Sequence, residues 1–200
     1  VVTVRTRGRL PHWEKADGIY FVTFRLFDSL PDAILHAVEF EREDIVRTAR
    51  VMQRELSESE KERLTELFTD KIDTHLDSGS GACFLKNTRV AQMVADAIRH
   101  FDGNRYRCYA WCVMSNHVHA VFKPLAGHDL AGIVQSWKSF SAHEGNLILN
   151  RSGNFWQREY YDHLVRDEED FFRVVRYTLE NPAKAGLADW LYVGSSLGVA

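Results

Sequence analysis

"RYRCYAWCVMSNHVHAVFKP", residues 105–124, holds two runs rich in β-branched and aromatic residues, parted by Ser115 and its neighbours. Such runs around a short polar break read as two adjacent antiparallel strands, a hairpin that Pro124 and Gly127 end. Side chains two apart in a strand project from one face. His117 and His119 therefore point one way, and Val118 and Ala120 the other. The imidazoles are either paired core histidines or two ligands of a divalent ion that takes a third ligand from elsewhere in the chain. Spacing alone leaves both open. By the same alternation Cys108 and Cys112 share one face and read as small apolar groups.

Around the hairpin the chain alternates strand and helix patterns. "GIYFVTFRLFDSLP", residues 18–31, reads as a buried strand ending at a proline. A charged helical pattern follows from Ala33 to about Gln53. Ser57 has capping-box spacing to Glu60 and opens a second helix with Leu64, Leu67 and Phe68 as its apolar stripe. "DSGSG", residues 77–81, is a break. Residues 87–101 place Val90, Val94, Ala97, Ile98 and Phe101 at helical spacing, and residues 129–143 do the same with Leu130, Ile133, Val134, Trp137 and Ser141. Residues 154–165 read as a strand or extended arm. Asp167 caps a last helix, which Pro182 is expected to stop. The order β, α, α, α, β, β, α, β, α predicts an α+β fold, a central antiparallel sheet with helices packed on it. It reads as one domain over 1–200, with an acidic helical insertion at about 30–85 after the first strand.

Net charge is −3, but its distribution is uneven: +3 over residues 1–25, −6 over 26–98, +3 over 99–151 and −3 over 152–200. The basic segments surround the first strand and the hairpin, and local field governs anion binding more than net charge does. No run reaches the roughly 18 apolar residues of a membrane helix. With no apolar leader and three sparse cysteines, the expectation is a reducing, cytoplasmic setting and no membrane partner.

On the last helix, Phe171, Val174, Val175, Thr178 and Leu179 form the packed stripe at about 100° per residue. Tyr177 and Asn181, one turn apart, fall beside that stripe, with Asp170 and Arg173 on the same side. A phenol is a possible nucleophile and the Asn181 amide oxygen a possible third ligand for an ion held by the histidines. A half-buried aromatic at a helix–sheet boundary explains Tyr177 equally well from helix geometry.

Three blocks carry a family resemblance: residues 7–26, "RGRLPHWEKADGIYFVTFRL"; residues 105–124, with His-Val-His; and residues 155–186, "FWQREYYDHLVRDEEDFFRVVRYTLENPAKAG". The chain resembles the REP-associated tyrosine transposases, a bacterial branch of the single-tyrosine HUH transposases. The resemblance implies a ferredoxin-like or RRM-like core with the two histidines on a central strand and the tyrosine helix across the site. It makes His117, His119 and Asn181 ligands of Mg²⁺ or Mn²⁺, with Mn²⁺ preferred in vitro because imidazole suits it better. It makes Tyr177 the nucleophile of a metal-dependent endonuclease and strand transferase that works through a 5′-phosphotyrosine link. Tyr160 or Tyr161 is the fallback nucleophile.

The implied substrate is a single-stranded DNA hairpin with a short guide tetranucleotide beside its foot, bound by a monomer or a homodimer associated with the bacterial nucleoid. Arg5, Arg7, Arg9, Lys123, Lys138, Arg158 and Arg173 are candidate phosphate contacts and Trp13 a base-stacking one. Each is also readable as an ordinary surface side chain. Two other functions stay open: a domesticated hairpin-binding protein with weak or no transposition activity, and a phosphodiesterase that uses the histidine pair with water as nucleophile.

Overall fold

A computed structural model describes residues 2–7, 10–15, 17–57, 59–60, 63–64, 67, 72–187 and 189–197; for 2–7, 10–14, 32, 35, 39 and 42 it describes the backbone only. The chain forms two compact units, one of residues 1–27 with 83–200 and one of residues 28–82.

The larger unit is built on β3 (Tyr20–Arg25), a helix α3 (Thr88–Arg99), β4 (Tyr106–Val113), β5 (His117–Pro124), a helix α4 (Leu130–Ile148) and β6 (Tyr161–Leu164). The strands pair antiparallel in the order β6-β3-β5-β4, which is the ferredoxin-like βαββαβ arrangement. A short β7 (Val193–Ser195) adds to the free edge of β4. The helix α5 (Glu168–Lys184) precedes it. A two-stranded hairpin, β1 (Val2–Arg7) and β2 (Leu10–Lys15), comes before β3. Neither β7 nor this hairpin is expected from the sequence, because short edge strands show no run of alternation to read.

The sheet has two covered faces. On one, Tyr20, Val22, Phe24, Val118, Ala120 and Phe122 pack against Val90, Val94 and Ile98 of α3 and Ile133, Val134 and Trp137 of α4. Each helix opens on a side-chain cap: Asn87 accepts from Arg89 N and Val90 N, and Asp129 accepts from Gly132 N at 2.6 Å. These bonds satisfy amide hydrogens that have no partner within the helix. On the other face Phe21, Ala110 and Val121 pack against Val174 and Val175 of α5. Of these three helices, α3 and α4 cover one face and α5 the histidine side.

The register corrects the reading of the cysteines. Cys108 lies opposite Phe122, Ala110 opposite Val121 and Cys112 opposite His119, so Tyr109 is an extra residue, a β-bulge. Directly paired residues share a face. Cys108 therefore joins the α3–α4 core, and Cys112 projects to the histidine side. Burial raises the Cys108 thiol to about 12.

Pro182 does not stop α5, which runs on to Lys184. A proline there removes one amide, and the carbonyls that follow are satisfied: Leu187 N donates to Pro182 O at 2.8 Å and Ala185 N to Asn181 O at 3.0 Å. Gly186, at φ +72, turns the chain away.

In the smaller unit, α1 (Asp32–Val51) contributes Val38 to a cluster with Leu30, Ile72 and Leu76, the last from the single-turn helix α2 (Thr74–Asp77). The capping box forms: Ser57 N donates to Glu60 Oε2 at 2.8 Å and Glu60 N to Ser57 Oγ at 3.3 Å. Leu67 is buried, and Phe68 lies outside the described residues. Among the described residues no helix is long and apolar enough to cross a membrane.

Candidate active site

β5 sets the centre of the site. Its odd-numbered side chains face α5, and pairing with β3 places Thr23 opposite His119 and Phe21 opposite Val121. His117 and His119 are fully buried. Their Nε2 atoms lie 3.0 Å apart. Each ring is held from behind. His117 Nδ1 lies 2.8 Å from Asn116 Oδ1, and His119 Nδ1 lies 2.7 Å from Thr23 Oγ1. Phe21 stacks on the His119 ring at 5.3 Å and 19°. Burial pushes the His117 imidazole down to about 3, and burial followed by the neighbouring His117 holds His119 well below the ordinary histidine range. Both rings are therefore neutral at ordinary pH, the form in which imidazole ligates metals.

α5 brings Tyr177 over this pair. Its ring meets His119 edge-on at 5.4 Å and Phe21 at 5.8 Å. The helix tracks along the strands. Phe171 packs on Tyr109, Val174 and Val175 join Ala110 and Val121, and Tyr177 reaches His119. One more helical turn advances about 6 Å, matching the roughly 6.8 Å from His119 to His117 along β5. Asn181 lies one turn beyond Tyr177 on the same helix. It is fully buried, and neither Oδ1 nor Nδ2 has a hydrogen-bond partner.

The start of α5 is fixed to the sheet edge. Asp170 is buried and accepts from His163 Nε2 of β6 at 2.7 Å, from Arg166 N at 3.1 Å and from Arg173. Burial raises its carboxyl, but the His163 bond and charge, the Arg166 amide and Arg173 outweigh that and leave it well below the usual carboxylate range. Tyr161, opposite Thr23 and 6.5 Å from Phe21, borders the same face, while Tyr160 packs with the α3–α4 core.

The residues present fit a hard divalent cation. An octahedral ion with ligands at about 2.1 Å places adjacent ligand atoms about 3.0 Å apart, the separation of the two Nε2 atoms. The Asn181 amide, without a hydrogen-bond partner among the described residues, would supply a hard oxygen. Among the described residues no three His, Cys, Asp or Glu side chains group as a metal site.

The candidate DNA contacts are scattered. Lys138 is a correction: it is 8% exposed, its ammonium donates to the carbonyls of Gln157 at 2.8 Å and Arg158 at 2.7 Å, and burial lowers it to about 8. It ties α4 to the segment before β6 and is not free for a phosphate. Lys123 is part-exposed and paired with Asp17 at 3.1 Å, Arg158 is exposed, and Arg173 is half-exposed beside Asp170. Arg5, Arg7 and Trp13 lie in the β1–β2 hairpin with side chains outside the described residues, and Arg9 lies outside them altogether. Thr23, Asn116 and Phe21 are site residues that the sequence reading misses. Only the β3–β5 register places two of them, and Asn116 is signalled only by preceding His117.

The sequence profile described as "Transposase IS200 like" matches residues 84–180, from α3 to the end of the Tyr177 turn. The chain is similar to the REP-associated tyrosine transposase of Escherichia coli (strain K12), 28% identical over 109 residues, 52% of this chain and 63% of that one. A relative in Haemophilus influenzae is 25% identical over 101 residues, 44% of this chain and 57% of its own. The matches thus span about three fifths of the relatives' length. Among solved structures, a REP-associated tyrosine transposase bound to a REP hairpin superposes with a TM-score of 0.50 and 16% identity, over 90% of this chain and 77% of that one, which shows a shared fold. The chain is thus similar to the IS200-like transposases and, among curated relatives, to REP-associated tyrosine transposases.

Proposed function

We propose that the protein nicks and rejoins single-stranded DNA at hairpin elements, with Tyr177 as nucleophile. The observation that carries this reading is the placement of the Tyr177 ring against His119, whose Nε2 lies 3.0 Å from that of His117. His117, His119 and Asn181 would hold Mg²⁺ or Mn²⁺. When bound, such an ion supplies positive charge to a nonbridging phosphate oxygen.

The rest falls to the chain's own groups. Burial keeps both imidazoles neutral, the charge state in which a ring nitrogen can offer a lone pair to a cation. Phe21 packs against the rings of His119 and Tyr177 and limits their rotation. The Asp170–His163 contact and the apolar stripe of α5 hold the helix on the sheet, which sets where the phenol can reach. Tyr177 Oη attacks phosphorus, the bond from phosphorus to the 3′ oxygen breaks, and the 5′ phosphate stays on the tyrosine. The proton given up by the phenol is matched by one gained at the released 3′-hydroxyl. A phenolate leaves more readily than an alkoxide, so a later 3′-hydroxyl can reverse the step without ATP. The basic segments around β3 and the β4–β5 hairpin favour a polyanion near the site.

The test is incubation with a hairpin oligonucleotide and Mn²⁺ followed by a denaturing gel. A covalent protein–DNA band that is lost in Tyr177→Phe is expected. Hairpin binding with no cleavage favours the domesticated binder, and cleavage that persists in Tyr177→Phe removes Tyr177 from the chemistry.

A further inference from the structure

We propose that Lys184 is a substrate-binding residue of this site, one that exchanges its contact with Glu180 for a nonbridging oxygen of the phosphodiester that Tyr177 attacks. The proposal rests on the nicking reading given above and deepens it by adding a side chain that meets the phosphate.

The placement follows from the end of α5. Had Pro182 stopped the helix, Lys184 would lie beyond it with no fixed relation to Tyr177. The helix runs on to Lys184. Lys184 is seven residues after Tyr177, about two turns, so both fall on one stripe, about 10.5 Å apart along the axis. Helix side chains lean toward the N-terminus, so the lysine stem points back along that stripe. Its ammonium lies over the Tyr177 ring, 5.7 Å from the centroid. Tyr177 thus has unlike neighbours. The buried His119 imidazole meets the ring edge-on at 5.4 Å, whereas the Lys184 side chain is 55% exposed. A strand arriving from solvent to meet the phenol arrives beside this charge. The other basic side chains of α5 are Arg173 and Arg176. Arg173 is held by the buried Asp170, and Arg176 lies about 100° round the helix from Tyr177.

The ammonium pairs with Glu180, one turn back on α5, at 3.1 Å. An exposed ion pair of this spacing is weak, because water screens both charges and two flexible side chains must be held still. A phosphodiester beside the phenol carries a full negative charge and competes for the same ammonium. Lysine suits the exchange: it is a compact charge with three donors on a flexible four-carbon stem. A phosphodiester also has two nonbridging oxygens, and the second can be met from a direction other than that of the histidine pair.

The experiment uses the whole chain and a hairpin oligonucleotide selected for tight binding from a pool with randomised single-stranded flanks. The cleavage position is first mapped with the wild-type protein and Mn²⁺. The oligonucleotide is then made in two forms, with the natural phosphate at that position or with an uncharged methylphosphonate. Binding is read by fluorescence anisotropy in a chelator, with Tyr177→Phe as the parent protein, since phenylalanine keeps the ring under the ammonium and forms no covalent link. Adding Lys184→Ala is expected to weaken binding of the natural form about 10-fold and of the methylphosphonate form less than about 2-fold. Lys184→Arg, which keeps the charge, is expected to stay within about 3-fold of the parent on the natural form. Equal weakening of both forms by Lys184→Ala, or weakening of neither, overturns the inference and leaves the nicking reading in place. A wild-type protein that cleaves the selected oligonucleotide at no position overturns both.

Discussion

The two buried imidazoles make stability depend on pH in a defined window. Burial lowers His117 from 6.5 to about 3, and His119 moves in the same direction. Above pH 6.5 both rings are neutral whether the chain is folded or not, and they contribute no pH dependence. Below it the unfolded chain takes up a proton on each ring and the folded chain does not, so stability falls as pH falls, down to about 3 for His117. The slope is about 1.4 kcal/mol per pH unit for each ring. Between about pH 7.5 and pH 5 the His117 ring accounts for about 2 kcal/mol, a sizeable share of the 5–15 kcal/mol of a typical domain, and His119 acts in the same direction. Urea unfolding followed by tryptophan fluorescence, in the presence of a chelator, measures it. His117→Gln removes one titrating ring, so its stability should fall about 2 kcal/mol less than that of the wild type over the same range. Parallel pH profiles for the two proteins would refute the claim that His117 is buried in its neutral form.

Three further outcomes follow from named contacts. Lys138→Ala should lower stability by about 1–3 kcal/mol, because two carbonyls lose their donor, and should leave the salt dependence of hairpin binding unchanged; a shallower salt slope would show a phosphate contact instead. Gly145→Ala would place a Cβ 2.6 Å from Phe155 Cε2, so α4 or Phe155 must shift, and chemical denaturation should show a loss of about 1–3 kcal/mol. His119→Ala should abolish cleavage and leave hairpin affinity within a few-fold, measured by gel shift, since phosphate contacts supply most of the affinity; a collapse of binding would make the histidine pair structural.

The central hairpin, the amphipathic helices and their caps are legible because local patterns determine them. Alternation over 105–124, the Asp167 cap and the Ser57–Glu60 box need no knowledge of distant residues. The parts that depend on pairing are not legible. Tyr109 adds one residue to β4, and that single insertion moves Cys112 to the side opposite Cys108. The roles of Thr23 and Phe21 follow from the register of β3 on β5, and β3 gives no sign of which of its faces meets the histidines. Lys138 reads as a surface cation on the helix wheel, yet two carbonyls some twenty residues later draw its ammonium inside. Pro182 reads as a stop, but in the last turn it removes one hydrogen bond and leaves Asn181 on the helix, one turn beyond Tyr177.

The claim that Tyr177 performs the chemistry is tested most directly by trapping the covalent species. A hairpin oligonucleotide is incubated with the protein and Mn²⁺, the adduct is digested with protease, and the nucleotide-bearing peptide is sequenced by mass spectrometry. The account predicts a 5′-phosphotyrosine at Tyr177 and no adduct in Tyr177→Phe. An adduct at Tyr160 or Tyr161, or cleavage without any adduct, would contradict it.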